Sequence, residues 1–334
     1  MGFPSGYNTF VPSLEASGSL VVNFSRAPST FSINKYVGIK KVDFDTGKYL
    51  YISPTTAARV GDPNKFKWVD NADAPTNYLL EDFNFRNYSN NRYAFAFQAG
   101  NRAIEQAAWD LVASYAAIAA QAAMNARTLV VQDVLTDTAN WGTHTAAASS
   151  IGGKWDAGTT ADPNILQCLN YAAQQINLGT GGIINGQAEL QLVVNPNTAQ
   201  AMNASAEIQD YLKGSYDARA RILGDAAFTP WGPSSIYGYN VVVENAVIDD
   251  SNIGSSANPS YALPDGYALL LARPNVLVNS ESTYNTCTLF MSEEMTVETK
   301  LDNDNRRTVG RVVENYSAVI TAEASGFLFT AVTW

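Results

Sequence analysis

An α+β fold is predicted by three features of the sequence. These are one long helical pattern without Gly or Pro at 101–127, a compact strand-and-helix unit beginning at Leu190, and long alternating segments from 294 to the C-terminus. Residues 1–35 mix Gly, Pro, Ser and Asn with isolated hydrophobics such as Phe3, Tyr7, Phe10, Leu14 and Phe24, so they cannot build a core and read as an extended arm. From 36 to 97 strands and turns alternate: 37–44, a turn at Asp45-Thr46-Gly47, 49–52, then a return at 78–85 and 93–97. Polar, turn-rich residues 54–75 lie between them, and an excursion with strands but little core should project as a hairpin.

Asn101 is the expected cap of the long helix. Ile104, Ala108, Leu111, Tyr115, Ile118 and Ala122 mark its apolar stripe, and the pattern reaches Arg127, roughly 40 Å at 1.5 Å per residue. A Gly/Thr/Ala-rich linker is expected at 137–161. The segment 163–178 then reads as a helix with Ile165, Leu169, Ala172 and Ile176 on one side, stopping near Gly179. The strand 190–194 leads through Asn195-Pro196-Asn197 into a short helix at 198–204, and strands at 239–244 and 267–271 complete an α/β unit. The segments 294–300, 307–320 and 326–334 read as one antiparallel C-terminal ribbon.

The 334 residues are 46% hydrophobic, enough for a large core, yet only 16% are charged where soluble domains have about 25%. A neutral polar surface suits a protein that packs against copies of itself. The net charge of −10 argues against a protein built to neutralise phosphates, so any nucleic-acid contact should be local and weak. Cys168 and Cys287 have no neighbouring Cys or His and read as buried free thiols. With no apolar run of about 18 residues and no basic-then-apolar N-terminus, neither a membrane span nor a signal peptide is expected, and the cytoplasm is the expected place of synthesis and use.

Catalysis needs convergent groups, and the sequence offers few. His144, the only histidine, falls in the Gly/Thr/Ala-rich stretch and reads as a solvated loop residue. Asp249-Asp250 and Glu293-Glu294 would point to opposite faces of a strand, and the glycines at 179, 181 and 182 lack the Lys and Ser/Thr of a phosphate loop. No catalytic, cofactor-binding or metal-ligating set is assigned, and no enzymatic activity is expected.

Five segments in this order, "NYLLEDFNFRNYSNNRYAFAFQAGNRAIEQAAWDLVASYAAIAAQAAMNAR", "LQLVVNPNTAQAM", "IYGYNVVVENAV", "DGYALLLARPNVLV" and "RRTVGRVVENYSAVITAEASGFLFTAVTW", carry a resemblance. They resemble the major capsid proteins of tailed bacteriophages, the fold family named after phage Hong Kong 97. The resemblance implies an N-terminal arm at 1–35, an extended loop at 36–97, a peripheral domain with a spine helix at 98–160, a mainly axial domain at 161–280, and peripheral C-terminal strands at 281–334. It further implies hexamers and pentamers of this chain forming an icosahedral head around double-stranded DNA, assembled in the host cytoplasm, with portal, separate scaffolding and decoration proteins as partners.

Tyr49, Tyr51, Phe66 and Trp68 are the candidate contacts with an adjacent subunit, being aromatic area that the excursion cannot bury by itself. Lys40, Lys41, Arg306, Arg307 and Arg311 are candidates to face DNA or a neighbour. Pro4, Pro12 and Pro28, without amphipathic heptads, rule out a coiled-coil scaffold within the arm, and the start at Met1 reads as arguing against a cleaved extension. Two other readings are an encapsulin-like nanocompartment shell, which shares the fold, and a carbohydrate-binding surface protein, against which the alanine-rich helix and the lack of repeats speak.

Overall fold

A computed structural model describes residues 26–54, 67, 83–107, 109–156, 164–208, 228–229, 231–251, 255–274, 276–277 and 283–333. The chain passes through β1 (Gly38–Lys41), β2 (Thr46–Ile52), β3 (Phe83–Ser89), β4 (Asn91–Gly100), α1 (Asn101–Gln106) and α2 (Leu111–Thr136). It continues with β5 (Thr145–Ala147), α3 (Ala148–Ile151), α4 (Ile165–Gly179), β6 (Leu190–Val194) and α5 (Pro196–Ala204). A minor pair, β7 (Phe228–Thr229) and β8 (Gly232–Pro233), precedes β9 (Ser235–Ile236), β10 (Tyr239–Val243), the hairpin β11 (Val247–Asp249) and β12 (Pro259–Tyr261), and β13 (Ala268–Ala272). A second minor pair, β14 (Val276–Leu277) and β15 (Thr283–Tyr284), leads to β16 (Cys287–Asp302), β17 (Arg307–Ile320) and β18 (Gly326–Thr330).

Two sheets carry the fold. The first is four-stranded, in the order β1-β16-β17-β4, and its centre is the long β16–β17 hairpin, paired from Cys287↔Ile320 to Asp302↔Arg307. The second is six-stranded, in the order β5-β18-β13-β6-β10-β9. Its inner strands, LQLVV and ALLLA, are buried at every position because both faces are covered. Leu192, Val194 and Leu270 meet Leu169, Ala172 and Ile176 of α4 on one side, and Val193, Leu269 and Leu271 share a core with Val131 and Leu135 of α2 on the other. The first half of α2 lies instead on the four-stranded sheet, where Ala119, Ala120 and Ala123 meet Val312, Phe95 and Phe97. One helix of 26 residues, about 39 Å long, therefore braces both sheets.

Several sequence expectations need correction. The long helix is not capped by Asn101: α1 ends at Gln106, and α2 starts afresh after Asp110, whose carboxylate accepts the Ala113 N–H at 2.9 Å. It also continues past Arg127 to Thr136, because burial of Val131 and Leu135 outweighs the poor helix propensity of β-branched residues. The expected stripe is rotated, with Ile118 51% exposed, since an alanine-rich helix is apolar nearly all round and its smallest face approaches the sheet. The expected turn at Asp45-Thr46-Gly47 falls earlier, with Thr46 and Gly47 already in β2.

The stretch 137–161 is no plain linker where it is described. It holds β5 and α3 and buries Trp141 and Trp155 completely. Nor do the last strands form one ribbon. After Ile320 the chain leaves the four-stranded sheet, and β18 pairs with β13 and β5 in the other, burying Phe327 and Phe329 against α4 and Trp155. Both cysteines are free and buried, and burial pushes the Cys287 thiol up to about 12.

Candidate inter-subunit surface

Strands β2 and β3 form a two-stranded hairpin in unbroken register from Thr46↔Ser89 to Ile52↔Phe83, outside both main sheets. Side chains alternate across such a ribbon, so Tyr49, Tyr51, Arg86 and Tyr88 share one face while Lys48, Leu50, Phe85 and Asn87 share the other. A two-stranded ribbon is marginal alone and needs something to pack on.

The first face packs on its own subunit. Tyr88 stacks on Phe290 with ring centroids 4.5 Å apart, and Tyr49 stacks on the same ring at 5.5 Å. The close approach requires glycine at 47, where a Cβ would lie 2.4 Å from the Tyr88 hydroxyl. The Arg86 guanidinium lies 3.8 Å from the centre of the Tyr51 ring and donates two hydrogen bonds to Glu323, at 2.7 and 2.9 Å. Burial pushes the Glu323 carboxyl up, but the Arg86 hydrogen bonds and charge outweigh it and hold it below the usual carboxylate range. The same hydrogen bonds raise Arg86 further, and burial raises the Tyr49 and Tyr51 phenols. Below the ribbon, Asp45 accepts from Ser292 and from Asn315, both at 2.6 Å, and Asn90 accepts from Ser317 at 2.8 Å.

Among the described residues the second face has no such cover. Leu50 and Phe85 stand directly opposite each other and are 48% and 69% exposed, and Phe44 at the root is 74% exposed. Large apolar side chains paired in the open make this face a candidate contact surface. Of the four sequence-predicted contacts, Tyr49 and Tyr51 are half-buried on the inward face, whereas Phe66 and Trp68 lie outside the described residues. Leu50 and Phe85 were missed. The available signal was the strand TGKYLYI itself, apolar on both faces at period two although one face suffices for attachment to its own subunit.

The remaining candidates do not converge. Among the cations, Lys41 pairs with Glu294 at 2.7 Å, Arg307 with Asp302 at 2.9 Å and Arg311 with Glu298 at 2.5 Å, surface pairs that solvent screens. Glu293 pairs with Arg92, and Asp249 accepts backbone N–H groups of Ser251 and Asn258 in a turn. His144 is not a solvated loop residue: it is half-buried, its backbone is held by Trp141 and Leu328, and its ring lies against Gly179. The β5–β18 pairing draws the loop in, which its composition does not reveal. Among the described residues no group of three His, Cys, Asp or Glu could hold a metal, and no helix is long and apolar enough to cross a membrane. A cleft of about 660 Å³ between α2 and the β11–β12 hairpin is lined by Leu129, Val247 and Tyr261 with Asp133, Asn197, Ser260 and Asp265; Asn195 and Asn197 donate to Asp265, and among the described residues no hydrogen bond joins Ser260 to either carboxylate.

Solved structures with this arrangement exist. A phage-related protein from Bordetella bronchiseptica RB50 superposes with a TM-score of 0.61 at 14% identity, over 92% of this chain and 93% of that one. A structure from Mycobacterium phage Bobi gives 0.57 at 11% identity over 93% of each chain, and the capsid of a native GTA particle gives 0.51 at 11% identity over 98% and 97%. The chain has the Hong Kong 97-type capsid fold. No family model and no curated protein matches the sequence. In chain order α2 and the β2–β3 ribbon fall where the sequence resemblance implies the spine helix and the extended loop.

Proposed function

We propose that the protein is the major capsid protein of a tailed bacteriophage, a non-enzymatic subunit that assembles as hexamers and pentamers into an icosahedral head around double-stranded DNA. The observation that carries this reading is the extended loop, attached to its own subunit by Tyr49, Tyr88 and Arg86 while Leu50 and Phe85 remain open on the other side. A second copy of the chain supplies the cover, and repetition of that contact closes a ring and then a shell. The exposed halves of Tyr49 and Tyr51, with Phe66 and Trp68, extend the contact along the loop. The likeness to a phage structure and to a GTA capsid over more than nine-tenths of the chain supports the reading.

The mature location is the virion, after assembly in the host cytoplasm. A portal and a separate scaffolding protein are its partners, and a decoration protein is compatible with the fold. Paired surface cations and a net charge of −10 leave only weak, non-specific attraction for the packaged DNA. Electron microscopy of the expressed chain, with its scaffold supplied, should show capsomers and closed shells. A protein that stays monomeric in analytical ultracentrifugation under those conditions would refute the assignment.

A further inference from the structure

We propose that His144, the only histidine in the chain, is a proton-operated release for the extended loop: on gaining a proton it competes with Arg86 for Glu323 and loosens the loop root.

The cluster is built from three separate parts of the chain. His144 enters β5 with its backbone fixed on both sides, its N–H donating to Trp141 at 2.8 Å and its carbonyl accepting from Leu328 at 3.0 Å. The ring lies against the end of α4 at Gly179, which the 3-10 turn Glu323–Ser325 also approaches. A Cβ placed on Gly179 would lie 2.5 Å from His144 Cε1, 2.8 Å from Nε2 and 3.3 Å from the Ala324 side chain. The adjacent residue on that turn, Glu323, receives both N–H groups of Arg86 from the loop. The Nδ1 atom of His144 is buried with no hydrogen-bond partner among the described residues, so the ring has an unspent polar group, and the Glu323 carboxylate that Arg86 occupies acts on the ring electrostatically.

The charged groups around the ring set the direction. Glu323 faces it from the 3-10 turn, and behind Glu323 lie Arg86 and the phenols of Tyr49 and Tyr51. The end of α4 contributes the negative pole of a 15-residue helix, and β18 contributes backbone. Burial lowers the imidazole below its ordinary value, and Glu323 works against that shift. The contribution of neutral His144 to stability is therefore complete above about pH 6.5 and is lost as the pH falls through the folded value. Glu323 stays ionised in that range because Arg86 holds it below the usual carboxylate value. With neutral His144, Arg86 is the cation that the carboxylate pairs with; with imidazolium it faces two, and the bidentate grip on the loop weakens.

The consequence for neighbouring subunits rests on the proposed function, but the release is a property of the single subunit and is tested there. Hydrogen exchange of the full chain, normalised for intrinsic rates, is compared at about pH 7.5 and about pH 5, on either side of an ordinary histidine. Exchange at 46–52 and 83–89 should rise severalfold on acidification while β6 and β13 stay protected. His144→Gln should abolish the change, and Glu323→Gln should give fast exchange in the loop at both pH values. Gly179→Ala, which displaces the ring without removing it, should shift the titration of the single imidazole signal seen by NMR. Equal protection of the loop at both pH values, or an undiminished pH effect in His144→Gln, overturns the proposal whether or not the protein forms shells.

Discussion

Replacing Glu314 by leucine should be among the most damaging single changes to the subunit. Glu314 lies on β17 with no exposed side-chain surface, and its partner Arg127 on the spine helix is almost as deeply buried; the guanidinium donates to the carboxylate and lies 5.6 Å from the centre of the Tyr316 ring. Leucine would fill the volume but leave the guanidinium buried without its counter-charge, and breaking a buried pair in this way costs about 3–5 kcal/mol. Replacing both partners, as Arg127→Met with Glu314→Leu, should cost far less, because Arg127 Nε and Glu314 Oε1 have no hydrogen-bond partners among the described residues and the pair is under-satisfied as it stands. Burial raises the Glu314 carboxyl above its ordinary value despite Arg127, so its stabilising contribution is complete below about pH 4.3 and is lost as pH rises through the folded value. Urea unfolding of wild type, both singles and the double at neutral pH measures the coupling. A Glu314→Leu subunit within about 1 kcal/mol of wild type, or a double mutant as unstable as the worse single, would refute the argument.

Leu50→Ser with Phe85→Ser should leave the unfolding midpoint of the subunit nearly unchanged, since both are exposed, yet prevent shell closure in electron micrographs. Tyr36→Phe removes the hydroxyl that donates to buried Glu244 at 2.6 Å and accepts from Gln132 at 2.7 Å, and should cost about 1–3 kcal/mol by chemical denaturation. Gly310→Ala places a Cβ 2.1 Å from the Phe97 ring, which partly covers the spine helix contact, and should destabilise by about 1–3 kcal/mol with a matching drop in the denaturation midpoint.

What the sequence revealed follows the strength of local signals. The strand Leu190–Val194, the Asn195 cap accepting from Thr198 at 2.7 Å, and the helix stop at Gly179 were legible because each is dictated by residues within a few positions. The break at Ala107 to Asp110 was not, because Ala-rich sequence supports helix on either side and only the Asp110 cap marks the restart. The departure of β18 into the second sheet was illegible for a different reason: the Phe327 and Phe329 alternation fits either sheet, and the choice is made by a long-range fit to β13 and α4. On the loop, tyrosines were singled out for their size, but register decides which face they take, and register puts Leu50 and Phe85 outside.

Those same contacts determine how a force on the loop reaches the rest of the subunit. The spine helix is held to the four-stranded sheet by small side chains at Ala119, Ala120 and Ala123 and to the six-stranded sheet by Val131 and Leu135, so the two sheets cannot shift independently without opening a dense interface. A buried polar knot strengthens the joint: Glu244 at the end of β10 accepts from Tyr36, Ser32 and the Ala246 N–H, while Tyr36 also accepts from Gln132 of the helix, tying the segment ahead of β1 to both. The loop is attached differently, through aromatic stacking on Phe290, one part-buried bidentate pair with Glu323, and the hydrogen bonds of Asp45 and Asn90 at its base. The body is thus braced as one unit while the loop root hangs on a few separable contacts, the division of stiffness that the proposed assembly calls for, in which identical chains would meet at different angles around five and six neighbours.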